Sequence, residues 1–173
     1  MDTLLQQLIN GLTLGAVYAL VALGYTMVYG IIGLINFAHG EVVMIGTMVA
    51  FTVIVFLAGS GMPPLVILGI GLLVAVAACM VLGWALERIA YRPLRHAPRL
   101  TPLITAIGMS IVLQNVAMII WGRNYITFPP MIHKEIYELG GASFTNVQVA
   151  IVCLAALVML GLTYLVQRTR IGM

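Results

Sequence analysis

Side chains able to do chemistry are few in this chain, and they gather in two places. The first is the run Gly30-Ile31-Ile32-Gly33-Leu34-Ile35-Asn36-Phe37-Ala38-His39-Gly40-Glu41. It puts an amide, an imidazole and a carboxylate within six residues, in a stretch broken by three glycines. Such a set can satisfy free backbone amides and favour a helix start. The second place is an otherwise apolar segment carrying Thr105, Ser110, Gln114 and Asn115. Ser110 and Gln114 are four apart, so on a helix they share a face. No nucleophile has a partnered base beside it. His39, His96 and His133 lie in separate segments, and no glycine-rich phosphate loop is present. Cys79 and Cys153 stand alone in apolar stretches, where cysteines are commonly buried thiols, and two isolated cysteines do not make a metal site. The chain therefore reads as a non-enzyme, with no metal and no cofactor of its own.

The elements that must position these residues are membrane spans. Charged residues make up 8% of the 173, against about 25% in soluble domains. None falls between Asp2 and Glu41, between Glu41 and Glu87, between Arg99 and Arg123, or between Glu138 and Arg168. Crossing the hydrocarbon core takes about 20 apolar residues. The stretches 8–31, 37–58, 65–85, 101–121 and 146–166 meet that length. The expected fold is all-α, a polytopic transmembrane helical bundle of about five spans in the lipid bilayer. No polar stretch is long enough for a separate soluble domain. The formal charge of +3 comes from loop arginines and offers no solvated basic face, so nucleic acid is not an expected partner. The first basic residue is Arg88, which argues against a cleavable leader.

Small residues recur at intervals of four in two spans: Gly11, Gly15 and Ala19 in the first, and Gly71, Ala75, Cys79 and Gly83 in the third. In lipid such stripes let helices approach closely, so Gly11, Gly15, Gly71, Ala75 and Gly83 are expected at packing seams. Gly59-Ser60-Gly61-Met62-Pro63-Pro64 is a turn signal between the second and third spans. Arg88, Arg92, Arg95 and Arg99, with Pro93 and Pro98, mark 87–99 as a basic cytoplasmic loop. In the 122–145 loop Arg123 and Lys134 balance Glu135 and Glu138, which places it outside. Three spans precede the basic loop, so the N-terminus is also expected outside.

The 30–41 junction has two readings. Broken backbone at membrane depth is tolerated where protein buries it or water reaches it, and transporters use such breaks at their pathways. Gly33, Asn36, Phe37, His39, Gly40 and Glu41 would then form a hinge, with Asn36 capping the second helix and Glu41 favoured by its dipole. Alternatively the segment is a tight turn at the cytoplasmic surface, with His39 and Glu41 solvated. Ser110, Gln114 and Asn115 are likewise open between interhelical hydrogen bonding and a polar lining.

The run Met27-Val28-Tyr29 followed by Gly30 to Glu41 closely resembles the signature of branched-chain amino-acid ABC transporter permeases of the LivH type. Glu87-Arg88-Ile89-Ala90-Tyr91-Arg92-Pro93-Leu94-Arg95, Met109-Ser110-Ile111-Val112-Leu113-Gln114-Asn115 and Thr169-Arg170-Ile171-Gly172-Met173 agree with it. The resemblance covers essentially all of 1–173. It implies the N-terminal portion of a longer permease domain in a bacterial inner membrane. It also implies a second permease subunit, two cytoplasmic ATPase subunits that bind the ATP, and an extracytoplasmic binding protein delivering leucine, isoleucine or valine. The ATPase-docking region would follow the last residues given. Relatives that carry urea or short amides share the 36–41 motif, and a truncated, non-transporting membrane protein is a further alternative. The charge pattern sets a first expectation. A cysteine at Lys134 should react with an impermeant thiol reagent applied from outside, and one at His96 should not. The reverse labelling would invert the topology.

Overall fold

The computed structural model describes residues 2–32, 36–94, 97–98, 100–132, 134–139 and 141–168. Five α-helices follow one another: α1 (Asp2–Ile32), α2 (His39–Leu57), α3 (Pro64–Leu86), α4 (Leu100–Trp121) and α5 (Asn146–Arg168). All five are long and apolar enough to cross a membrane. The expected helical bundle of about five spans is thus the observed fold, with three differences. Helix α1 begins already at Asp2. Helix α3 does not give way to a loop at Glu87, since the chain stays helical through a π-turn (Glu87–Tyr91) and a 3-10 turn (Arg92–Leu94). And the 122–145 loop contains an antiparallel hairpin of β1 (Ile136–Leu139) and β2 (Ala142–Thr145).

The chain forms two compact units, residues up to Thr26 together with those from Ile132 onward, and Met27–Met131. In the first, the Gln6 side chain acts like a short extra strand on the hairpin. Its Oε1 accepts from the Ser143 amide at 2.8 Å and its Nε2 donates to the Ser143 carbonyl at 3.0 Å. Gln148 Oε1 accepts from the Thr145 amide at 2.9 Å, reaching back one turn as in a capping box and starting α5 directly from β2. The Tyr137 hydroxyl donates to Glu135 Oε2 at 2.6 Å. That bond, with the carboxylate's charge, holds the phenol above its usual pKa range. Tyr137 also stacks on Phe144, with ring centroids 5.7 Å apart. The first turns of α1 and the hairpin therefore lie at one end of this unit.

In the second unit α2 packs antiparallel along α3, and α4 completes a three-helix core. Gly61, with φ of 74°, makes the turn between α2 and α3, and Pro64 opens α3 at a position where its missing N–H costs nothing. The seam between α2 and α3 is built from small residues. A Cβ on Gly46 would stand 2.5 Å from Cys79 Sγ, and one on Gly71 would stand 3.0 Å from Ile54 Cγ1. Ala75 is buried on the same face. Gly71 and Ala75 thus lie where the four-residue spacing places them. Gly83 does not: it is exposed, with nothing among the described residues within 4 Å of an added Cβ. Gly11 and Gly15 of α1 also face open space. The stripe drifts because a helix turns 100° per residue, so positions four apart slide around the axis over three turns. Cys79 is half-buried in the seam, but Cys153 is exposed on α5 and not the buried thiol expected. Large apolar side chains such as Phe56, Leu65, Leu73 and Ile119 point outward, as they do when the solvent is lipid.

The seam generates a stability prediction for the full-length permease in detergent. Gly46→Leu must push two backbones apart and should destabilise it by about 1–3 kcal/mol, read as a lower thermal midpoint. Gly83→Leu should leave the packing of α2 on α3 unchanged. Equal loss from both variants would move the seam to another face.

Candidate functional site

The start of α2 is fixed by Asn36. Its Oδ1 accepts from the Ala38 amide at 3.0 Å, and its carbonyl accepts from the His39 amide at 3.1 Å. This is an Asx-type turn, which suits a residue whose side chain mimics a backbone carbonyl. The helix cap itself is Ala38, which makes no side-chain capping bond. The expectation that Asn36 caps α2 is corrected on this point: it stands two residues too early and holds the entering turn instead. Its Oδ1 also accepts from the Tyr91 hydroxyl at 2.6 Å.

Tyr91 owes its position to the π-turn. The Arg92 amide donates to the Glu87 carbonyl, five residues back. Pro93 follows, with no N–H and a ring that crowds the carbonyl four residues earlier, so a regular α-ladder cannot run through it. Because the chain stays helical here, Leu86 and Tyr91 still face the core. Ala38, Leu86 and Leu113 form its buried centre, with Val42, Ile45, Leu82, Tyr91 and Met109 packed around them. The first turn of α2, the last turns of α3 and the middle of α4 therefore meet at one level.

At that level the two polar patches of the sequence join. Glu41 Oε1 accepts from Ser110 Oγ at 2.9 Å and from Gln114 Nε2 at 2.6 Å. Ser110 follows Leu100, the first residue of α4, by ten positions, about 15 Å of helix. Gln114 precedes Trp121 by seven, about 10 Å. Along α2, Glu41 precedes Leu57 by sixteen residues, about 24 Å, so the carboxylate lies toward the end of this unit away from the α2–α3 turn. Along α3, Leu86 follows Pro64 by 22 residues, about 33 Å, which puts the same level at the far end of that helix. At the opposite end of this unit Trp121 Nε1 donates to Thr52 Oγ1 at 2.8 Å, and Phe51 meets Phe128 edge-on.

The remaining candidates are distributed unevenly. His39 and Gly40 are half-buried in the first turn of α2, and Phe37 is exposed before it. Asn115 does not join the cluster: its Nδ2 donates to the Ile111 carbonyl of its own helix at 2.7 Å. Gly33 lies outside the described residues. Tyr91 was missed by sequence reasoning, because its role depends on a π-turn that shows in sequence only as a proline two residues on. No group of three or more His, Cys, Asp or Glu that could hold a metal occurs among the described residues.

With this geometry in place, comparison with known proteins is informative. The family described as the permease component of branched-chain amino acid transport systems matches residues 7–173. The chain belongs to this family. It is 46% identical to the high-affinity branched-chain amino acid transport system permease protein BraD of Pseudomonas aeruginosa. It is 44% identical to the LivH permease proteins of Salmonella typhimurium and Escherichia coli. Each alignment covers 97% of this chain and 56% of the relative, so the chain spans little more than half the length of the curated relatives it matches. None of these three is named as a urea or amide permease. No solved structure matches the chain.

The cluster yields a coupling prediction. In a double-mutant cycle on stability, Glu41→Gln with Gln114→Leu should show an interaction energy of about 0.6 kcal/mol or more, the usual scale for interhelical hydrogen bonds in membranes. Glu41→Gln with Asn115→Leu should be additive. Coupling to Asn115 instead of Gln114 would reassign the pair.

Proposed function

We propose that this chain is a membrane-spanning, N-terminal portion of a permease subunit of an ATP-driven importer for branched-chain amino acids, working in the bacterial inner membrane. The observation that carries the reading is kinship over nearly the whole chain with permeases named for that transport. The partners follow from that kinship: a second permease subunit, two cytoplasmic ATPase subunits that hold the ATP, and an extracytoplasmic binding protein that delivers the substrate. The chain itself does no covalent chemistry and binds no cofactor in this reading.

The geometry supports a place on the pathway for Asn36 to Glu41. The entering turn of α2 has its hydrogen bonds satisfied by protein, through Asn36 and Tyr91. Such a turn can absorb backbone rotation while α2 stays packed on α3. Ser110 and Gln114 supply a polar face beside it. Leucine uptake per assembled complex tests the reading in the full-length permease. Asn36→Leu and Gly40→Leu should impair uptake more than assembly. Wild-type uptake should resist competition by urea. Normal rates in both variants would reduce the junction to a connector, and an absence of leucine uptake by the wild-type complex would remove the substrate assignment.

A further inference from the structure

We infer that Tyr91 is a positioning residue for transport: through Asn36 it ties the entry of α2 to the helical turns that continue α3, so that the winding of those turns sets the angle at which the chain enters α2. The inference rests on the permease reading and deepens it, because it adds to the 36–41 junction a residue 55 positions from Asn36.

The phenol is held at both ends. Its ring packs against the cluster of Ala38, Leu86 and Leu113, and its hydroxyl donates to Asn36 Oδ1 at 2.6 Å, toward the short end of the range for O–H···O bonds. The same oxygen accepts from the Ala38 amide at 3.0 Å. An amide oxygen has two lone pairs, so these two bonds saturate it. Rotation of the Asn36 side chain therefore disturbs both at once. The turn that starts α2 and the link to the turns after α3 behave as one unit. On the other side of the link the helix is wound unevenly. Tyr91 is the last residue of the π-turn, and the tighter 3-10 turn begins at the next residue. The Glu87 amide, where the π-turn begins, is shared between the Gly83 and Trp84 carbonyls. Turns of the π type inside helices are frequent at functional sites. Returning this one to regular α pitch would carry Tyr91 round the helix axis by up to about 100°, one residue of rotation, and lift its hydroxyl off Asn36. The contacts of Gly46 with Cys79 and of Gly71 with Ile54 lie further along both helices, toward their connecting turn. A change in winding thus reaches the entry of α2 without unpacking α2 from α3.

The test uses the assembled transporter with the full-length permease in lipid vesicles, with leucine import measured per complex. Tyr91→Phe keeps the ring and removes the hydroxyl. It should lower the maximal import rate about threefold to twentyfold, the range to which interhelical hydrogen bonds in membranes convert, with KM for leucine unchanged. In an Asn36→Ala background, which lacks the acceptor, Tyr91→Phe should cost nothing further. Pro93→Ala returns the amide that a regular α-ladder needs. It should lower the maximal rate in the same way with the hydroxyl still present, and it decides the question if Tyr91→Phe does not assemble. Spin labels at Phe37 and Ile89, both exposed, give a readout that does not depend on the cargo. With the other cysteines replaced, the distance distribution between these labels should be broader in Tyr91→Phe than without it. Normal import by Tyr91→Phe or by Pro93→Ala would overturn the inference, as would losses that add with Asn36→Ala. A loss confined to the amount of assembled complex, with a normal rate per complex, would assign Tyr91 to packing alone and also overturn it. A complex with Tyr91 intact that imports no leucine, in which the labels still respond to Tyr91→Phe as stated, would keep the link and overturn the branched-chain assignment.

Discussion

A carboxylate packed among three helices sets the terms for the rest of this structure. Glu41, in the first turn of α2, accepts from Ser110 and Gln114 of α4, and interhelical hydrogen bonds of this kind contribute about 0.6 kcal/mol each on average. The backbone that enters α2 at this level must also find its hydrogen bonds within the protein. Asn36 meets that demand by taking the Ala38 amide on its side chain and the His39 amide on its carbonyl. Tyr91, carried there by the π-turn after α3, fixes Asn36 in turn.

The rest of the second unit keeps that arrangement rigid. In lipid, close approach of helices depends on van der Waals packing more than on hydrophobic burial. Gly46 against Cys79, and Gly71 against Ile54, bring α2 and α3 together. The few buried apolar residues of the core lie at the same level as the polar trio. The α2–α3 pair thus carries the polar cluster at the end away from its connecting turn. The outward face is apolar and large, and Gly11, Gly15 and Gly83 stand on surfaces that this chain leaves uncovered.

The spans were legible in the sequence because the hydrocarbon imposes a length and excludes charge over it. The two polar patches were visible for the same reason, as breaks in that rule, and the four-residue spacing of Ser110 and Gln114 gave their shared face. Their union with Glu41 was not legible, since pairing between helices depends on relative height, and the height of α2 depends on where the preceding helix ends. The third span was read close to its observed bounds, but the helical turns that follow it were not, because arginines and prolines at 88–99 resemble a loop, whereas the first of those prolines only changes the hydrogen-bond pitch. The hairpin carried its own signal, Gly140-Gly141 between two four-residue runs, a common two-residue β-turn pair that polar composition obscured. Gly83 shows the limit of stripe reasoning, because spacing identifies a possible face but not how far along it a neighbour extends.

The claim on which the account turns is that the two polar patches meet at one level. It can be measured with spin labels in the full-length permease in bilayers, using collision with oxygen and with a water-soluble nickel chelate. Labels at 41 and 114 should report the same depth, about 24 Å from that of a label at Leu57. A label at 41 that reports a different depth from one at 114 would separate the patches and contradict the account.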